Sequence, residues 1–148
     1  MSEDRKEATP MTKRDIMIRA HEIARTLDGD YTARMAMALR RAWLEARLIQ
    51  AGGRRWTKGE FNRIYFNNLA ELYGLQLDYY NSGNISAAQL DGEHISNSSA
   101  RQILASLSSA RVWYDCNSGR FETKGLTEQA HERIMAALGA VAQMEVAA

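Results

Sequence analysis

The chain has 148 residues, of which 45% are hydrophobic and 25% charged, and its formal net charge is +1. This length allows one domain with a substantial core, excludes two independent domains, and contains no apolar stretch long enough to span a bilayer. The first ten residues lack the apolar block of a secretory signal, and a single cysteine excludes an intrachain disulfide. We therefore expect a cytoplasmic protein with a disordered tail at 1–11, one domain at 12–140 and a frayed tail at 141–148.

Two helices are predicted at the start of the domain. Thr12 and Asp15 have the spacing of a capping box, and apolar residues at helical intervals follow to about residue 27. Asp30 is placed to cap a second helix over residues 31–50, which ends at a pair of glycines. Because the link between the two helices is short, we expect them to be antiparallel neighbours packed through their apolar stripes.

A third helix is predicted next. The sequence T-K-G-E at 57–60 matches a capping box, and Phe61, Ile64 and Leu72 follow on one helical face before Gly74. This helix would complete a small bundle with the first two.

The rest of the chain mixes strand and helix signals. Alternating or aromatic-rich segments predict strands, clusters of Ser, Asn and Thr predict helix caps, and Asn117-Ser118-Gly119 predicts a hairpin turn. The fold class is therefore α+β: an N-terminal bundle of about three helices, a small antiparallel sheet or hairpin, and two further helices. The expected elements are a strand at 75–80, a weaker strand or loop at 85–96, a helix at 98–109, a hairpin at 111–124 and a helix at 127–138.

No motif indicates catalysis, a metal or a cofactor. His21 and His131 each precede a glutamate, but the second histidine that a zinc hydrolase needs four positions along is missing from both. Cys116 has no nucleophile motif around it, and the sequence does not place His94 or His131 beside it. We predict no catalytic residue, no metal site and no cofactor, and hence not an enzyme.

Four carboxylates leave one alternative open. They would form a cluster able to hold a cation or do acid–base work only if the two strand regions are neighbours in one sheet. Solvated strand faces carry such residues routinely, so we favour the simpler interpretation. The four residues are Asp78, Asp91, Glu93 and Asp115.

The charge is unevenly distributed. Residues 11–58 carry 11 Lys and Arg against 5 Asp and Glu, a local charge of +6, whereas residues 59–148 carry 6 against 10, a local charge of −4. The second predicted helix and the loop after it hold seven cations and two tryptophans, with Glu45 as the single acid. Because arginine suits phosphate and carboxylate, and tryptophan is enriched at interfaces, we predict a binding surface there. Its residues are Arg34, Arg40, Arg41, Trp43, Arg47, Arg54, Arg55, Trp56 and Lys58.

A structural alternative explains part of this set. Arg41 and Glu45 have the spacing of a helical ion pair, and Trp43 can pack into the core. In the functional interpretation, Trp43 instead stacks with the guanidinium group of Arg40 or Arg47 on an exposed flank.

The two predicted N-terminal helices carry the pattern Lys-Arg, Ile-Met and Arg-Ala-His, then Ala-Leu and Ala-Trp. Its residues are Lys13, Arg14, Ile16, Met17, Arg19, Ala20, His21, Ala38, Leu39, Ala42 and Trp43. The pattern resembles a helical pair found in small proteins of phages, plasmids and integrated elements, in which an aromatic residue is commoner at the position of His21. The segment Ile95–Gly125, with Ser-Asn-Ser before a helix and Tyr-Asp and Gly-Arg-Phe in a hairpin, resembles a second region of such proteins.

This resemblance implies a genetic context and, from it, two functions. The first is a non-catalytic, anti-CRISPR-like protein that binds and inhibits a host defence protein or ribonucleoprotein complex that handles nucleic acid. The alternative is a regulator that binds nucleic acid through the Arg34–Lys58 basic surface. The oligomeric state stays open in both.

Overall fold

The computed structural model describes residues 10–144, and the predictions for 1–9 and 145–148 lie outside this range. The α+β class is confirmed, because the described chain forms five helices and two antiparallel sheets. The elements are α1 (Lys13–Ala24), α2 (Tyr31–Gln50), β1 (Gly53–Lys58), β2 (Phe61–Phe66), α3 (Leu69–Tyr73), β3 (Leu75–Tyr79), β4 (Ile85–Leu90), β5 (Glu93–Ile95), α4 (Asn97–Leu107), β6 (Arg111–Asp115), β7 (Arg120–Lys124) and α5 (Glu128–Gln143).

The first two helices form as predicted. The hydroxyl of Thr12 accepts from the Asp15 amide and the Asp15 carboxylate accepts from the Thr12 amide, which completes the capping box. The carboxylate of Asp30 accepts from the amide of Ala33 at the start of α2. The two helices pack through a cluster that includes Ile16 and Ala42, and its many alanines allow close approach of the helix backbones.

The predicted third helix is wrong over most of its length. Residues 53–66 form a β-hairpin, β1–β2, and only Leu69–Tyr73 is helical, ending at Gly74 in the left-handed conformation. Lys58 pairs with Phe61, so Gly59 and Glu60 form a two-residue turn in which Gly59 has φ 58°. Glycine at the first central position is typical of a type II′ hairpin turn. The N-terminal unit is therefore a helical pair and not a three-helix bundle.

The larger sheet has the strand order β1-β2-β6-β7 and is antiparallel throughout. Its inner face carries buried residues such as Ile64 and Tyr114, which pack against Leu48 of α2 and against Ile134 and Leu138 of α5. The predicted 111–124 hairpin is confirmed as β6–β7. The main core thus lies between this sheet and the two long helices.

The smaller sheet, ordered β3-β4-β5, packs against α4 through Leu75, Ile85, Ala88 and Ala100. Near Gly74, the Arg133 side chain of α5 donates to the carbonyl of Tyr73 and pairs with Asp91. The last helix is longer than predicted and ends at Gln143. Within residues 10–144 no helix is both long and apolar enough to cross a membrane.

Candidate nucleic-acid interface

One face of the larger sheet points away from the core, and we call it the outer face. Side chains alternate along each strand, so the neighbours of the buried Ile64 and Tyr114 point outward. The strand register aligns these outward positions across all four strands. They are Arg54, Trp56 and Lys58 on β1, Phe61, Arg63 and Tyr65 on β2, Arg111, Trp113 and Asp115 on β6, and Arg120, Glu122 and Lys124 on β7.

Four aromatic rings surround one arginine at the centre of the outer face. The Arg63 guanidinium carbon lies 4.8 Å from the ring centre of Phe61, 4.9 Å from that of Trp113 and 6.0 Å from that of Trp56. Its Nη1 donates to the hydroxyl of Tyr65 at 2.7 Å. Trp56 is 41% exposed and Phe61 53% exposed. Trp56 and Phe61 also stack on each other, so the cluster presents exposed aromatic surface around a positive charge.

The outer face is strongly basic. Its strands carry six cations and two carboxylates, a local charge of +4. None of the six cations forms an ion pair with another residue of the described range. The side chains of Arg54, Lys58, Arg111, Arg120 and Lys124 are exposed. Unpaired cations around exposed aromatic rings are suited to bind phosphates and stack bases at the same time.

On the inner side of β1, Arg55 has a different environment. Its Nη2 donates to Oε1 of the fully buried Glu45 at 2.6 Å, and its Nη1 donates to Oδ1 of Asn62 at 2.9 Å. Arg19 of α1 donates from Nε to the same Glu45 carboxylate at 2.8 Å. Arg55 is thus ion-paired on the inner side of the sheet and does not belong to a free basic surface.

The predicted Arg34–Lys58 surface is therefore divided. Arg54, Trp56 and Lys58 lie on the outer face, while α2 packs on the inner side of the sheet. The helical ion pair between Arg41 and Glu45 does not form, because Glu45 is taken by Arg19 and Arg55.

The arginines of α2 differ in exposure. Arg40 is exposed, whereas Arg34, Arg41 and Arg47 are half-buried. Arg34 donates to the carbonyl of Ala24 at 3.4 Å, and Arg41 donates to that of Asn117 at 3.5 Å. These contacts fasten α2 to α1 and to the β6–β7 turn, so part of the predicted flank has a structural role.

Trp43 follows the structural alternative. It is half-buried and packs on the cluster between α1 and α2. The cation–π contacts within residues 10–144 involve Arg34, Arg63 and Arg133, so Trp43 stacks with neither Arg40 nor Arg47.

No protein-family model matches this sequence, and no curated protein or solved structure matches it either. Much of the N-terminal pattern that carries the resemblance has a packing role here. Ile16, Ala20, Ala38 and Ala42 are all buried between α1 and α2. The exposed members, such as Lys13 and Met17, are the ones free to contact another molecule.

The geometry does not support the carboxylate cluster that the sequence left open as an alternative site. Asp78 and Glu93 belong to the smaller sheet, Asp115 to the larger one, and Asp91 is bound by Arg133, so the four carboxylates do not share a sheet. Within the described range, no group of three His, Cys, Asp or Glu side chains is arranged to hold a metal. Burial raises the pKa of Cys116 to about 12, which keeps it a neutral thiol.

Sequence reasoning missed most of the outer face. The capping-box pattern places Phe61 and Tyr65 in a helix, and no sequence motif indicates a role for Arg63, Arg111, Trp113, Arg120 and Lys124. The available signal was the alternation Phe61-x-Arg63-x-Tyr65 after a Gly-Glu pair, which predicts a strand leaving a hairpin turn. The cations of β6 and β7 lie in the half of the chain that is acidic on average. The local net charge along the sequence therefore does not indicate that they contribute to a basic surface.

Proposed function

We propose that this protein is a non-catalytic binder of single-stranded nucleic acid that uses the outer face of its four-stranded sheet. The observation that carries the proposal is the aromatic cluster around Arg63, with two rings exposed and five further cations on the same surface that form no ion pair within residues 10–144. Bases stack on aromatic side chains regardless of sequence, and cations beside them contact the phosphates. An open sheet face with aromatic residues is also how the commonest sheet-based RNA-binding modules hold unpaired bases.

The α2 arginines support a second contact less well. Three of the four are half-buried and two of these bond to the protein's own carbonyls, which leaves Arg40 as the exposed one. The site of the proposed function is therefore the sheet, with Arg54, Trp56 and Lys58 as the predicted residues that belong to it.

The test is fluorescence anisotropy with labelled single strands of DNA and RNA. Replacing both Trp56 and Phe61 by Ala removes two stacking surfaces, each worth about 1–3 kcal/mol when a base occupies it. Because about 1.4 kcal/mol corresponds to a tenfold change in affinity, we expect the dissociation constant to rise by tenfold or more. The matched control is Tyr79→Ala, which removes an exposed aromatic ring from the smaller sheet and should leave binding unchanged.

A second pair of variants distinguishes binding through the outer face from binding through the arginines of α2. Lys58→Gln should reduce the slope of log affinity against log salt by about 0.7, the value for one phosphate contact to a single strand. Arg40→Gln removes an exposed cation from α2 and should leave the slope as it is. Absence of binding at low salt, or loss of slope with Arg40→Gln alone, contradicts the proposal.

Inhibition of a host defence complex stays a prediction. An outer face that binds single strands would suit such a role if the complex carries RNA or unwound DNA, and a pull-down from host lysate with and without nuclease treatment would test it. No feature of the described residues selects a particular complex.

A further inference from the structure

A cavity opens beside the outer face, between the end of β2 and the end of α4. Its volume is about 300 Å³. Two outer-face residues, Tyr65 and Arg111, form part of its lining, so it continues the surface that carries the aromatic cluster. Further lining residues are Asn67, Leu104, Leu107 and Ser108.

We infer that this cavity receives one unstacked nucleobase from a strand lying on the outer face; the inference rests on the proposed function. The volume lies at the lower end of the range for small-ligand pockets, which suits one planar ring system better than a whole oligonucleotide. Leu104 and Leu107, one turn apart on α4, give the cavity an apolar side suited to one face of a base, and the Tyr65 ring adds an aromatic group to the lining.

The polar groups of the cavity are suited to the edge of a base. Asn67 carries an amide that both donates and accepts, and the Ser108 hydroxyl, which donates to the carbonyl of Ala105 at 2.8 Å, keeps its oxygen as an acceptor. Arg111 stands at the junction with the outer face, where its Nη1 donates to the carbonyl of Ala110 at 2.9 Å and its remaining donors can meet a phosphate. A base would enter the cavity with its polar edge towards Asn67 and Ser108, while its phosphate stays outside beside Arg111.

This cavity predicts a property that the aromatic cluster does not have. Stacking tolerates every base, whereas hydrogen bonds to a base edge distinguish one base from another. The protein should therefore prefer some homopolymers over others beyond the modest preference that stacking itself gives, and this excess should be lost when the cavity is filled.

The experiment compares anisotropy of labelled dA, dC and dT single strands of about 12 nucleotides, a length within the usual site sizes. We expect the unmodified protein to bind the strongest and weakest strands with affinities that differ by about tenfold, the ratio given by one or two net hydrogen bonds. Ser108→Trp fills the cavity from an exposed position and should bring the three affinities within about twofold, with an unchanged salt slope.

The matched control is Ser109→Trp, the exposed neighbouring position that does not line the cavity, and it should keep the full preference. Asn67→Ala is the second test, since it removes an amide without adding bulk and should also weaken the preference. Equal affinities for the three strands in the unmodified protein, or a preference that survives both Ser108→Trp and Asn67→Ala, overturns the cavity site but leaves the outer face as a binder. Failure to bind any strand overturns both.

Discussion

Glu45 is fully buried and yet holds two arginines from different elements. It accepts from Arg19 of α1 and from Arg55 of β1, so one carboxylate joins the helical pair to the edge strand of the larger sheet. A buried charge is tolerated only when partners compensate its lost hydration, and here two guanidinium groups do so. This junction fixes β1, whose alternate residues Arg54 and Trp56 point to the outer face.

Cys116 lies in the same buried environment, and its ionisation gives a prediction for pH. Burial, followed by the negative charge of Glu45, raises the pKa of its thiol to about 12 from a usual value of 9.0. A group whose pKa is higher in the folded state contributes stability that is complete below the unfolded pKa and is lost as the pH rises through the folded value. The free energy of unfolding should thus decline between about pH 9 and 12.

We expect Cys116→Ala to remove part of that decline. By pH 10 the thiol is mostly ionised in the unfolded state and neutral in the folded state. The difference in unfolding free energy between pH 8 and pH 10 should therefore be smaller in the variant by about 1–2 kcal/mol. Urea unfolding at the two pH values measures it. Burial also raises the pKa of the Tyr114 phenol above its usual 10.0, so part of the decline above about pH 10 should persist in the variant. An identical pH profile in both proteins would contradict the assignment.

Among the elements, the β1–β2 hairpin depends on the backbone of Gly59. Its φ of 58° is left-handed, and a Cβ built there meets no atom within 4 Å, so a substitution would be strained by conformation and not by crowding. We expect Gly59→Ala to destabilise the protein by about 1 kcal/mol, the cost of a left-handed conformation for a residue with a Cβ.

The control is Gly139, which lies in α5 with equally open space around it. Alanine in a helix is favoured over glycine by about 0.5–1 kcal/mol, so Gly139→Ala should stabilise the protein. Urea unfolding of both variants should give changes of opposite sign. The same sign for both would mean that backbone conformation does not control stability at these positions.

The same hairpin shows what local patterns predict. Capping residues predicted the starts of α1, α2, α4 and α5, because a cap is a contact within a few residues of chain. The helix predicted from T-K-G-E at 57–60 is wrong because the same four residues fit both a capping box and a hairpin turn centred on Gly-Glu. The alternation after the turn favours the hairpin locally, but pairing with β6, some fifty residues away, stabilises it, and a local pattern carries no information about that pairing.

For the whole molecule, the charge along the chain was a poor guide to the charge on the surface. The basic first half supplies Arg54 and Lys58 to the outer face, but most of its remaining arginines are helical or internally bonded. The strand order β1-β2-β6-β7 then adds cations from the acidic half. Three of the nine predicted site residues reach the outer face, because the topology that assembles it is not visible in the composition.

The shape of the outer face leads to a prediction about nucleic-acid form. Trp56 and Phe61 can stack only with bases that are unpaired, since a duplex presents its phosphates and hides the faces of its bases. A duplex would gain the electrostatic attraction and lose the stacking on two rings, worth about 1–3 kcal/mol each. We expect single strands to bind at least about tenfold more tightly than a duplex of the same sequence at physiological salt.

A competition assay measures this ratio, with unlabelled duplex and unlabelled single strand displacing the same labelled strand. In the Trp56→Ala, Phe61→Ala double variant the ratio should fall towards one, because only the cations remain to hold either form. If the double variant kept the full preference for single strands, the aromatic cluster would not be its source. If the unmodified protein bound duplex and single strand equally well, the outer face would act only as a basic surface that does not distinguish the two forms.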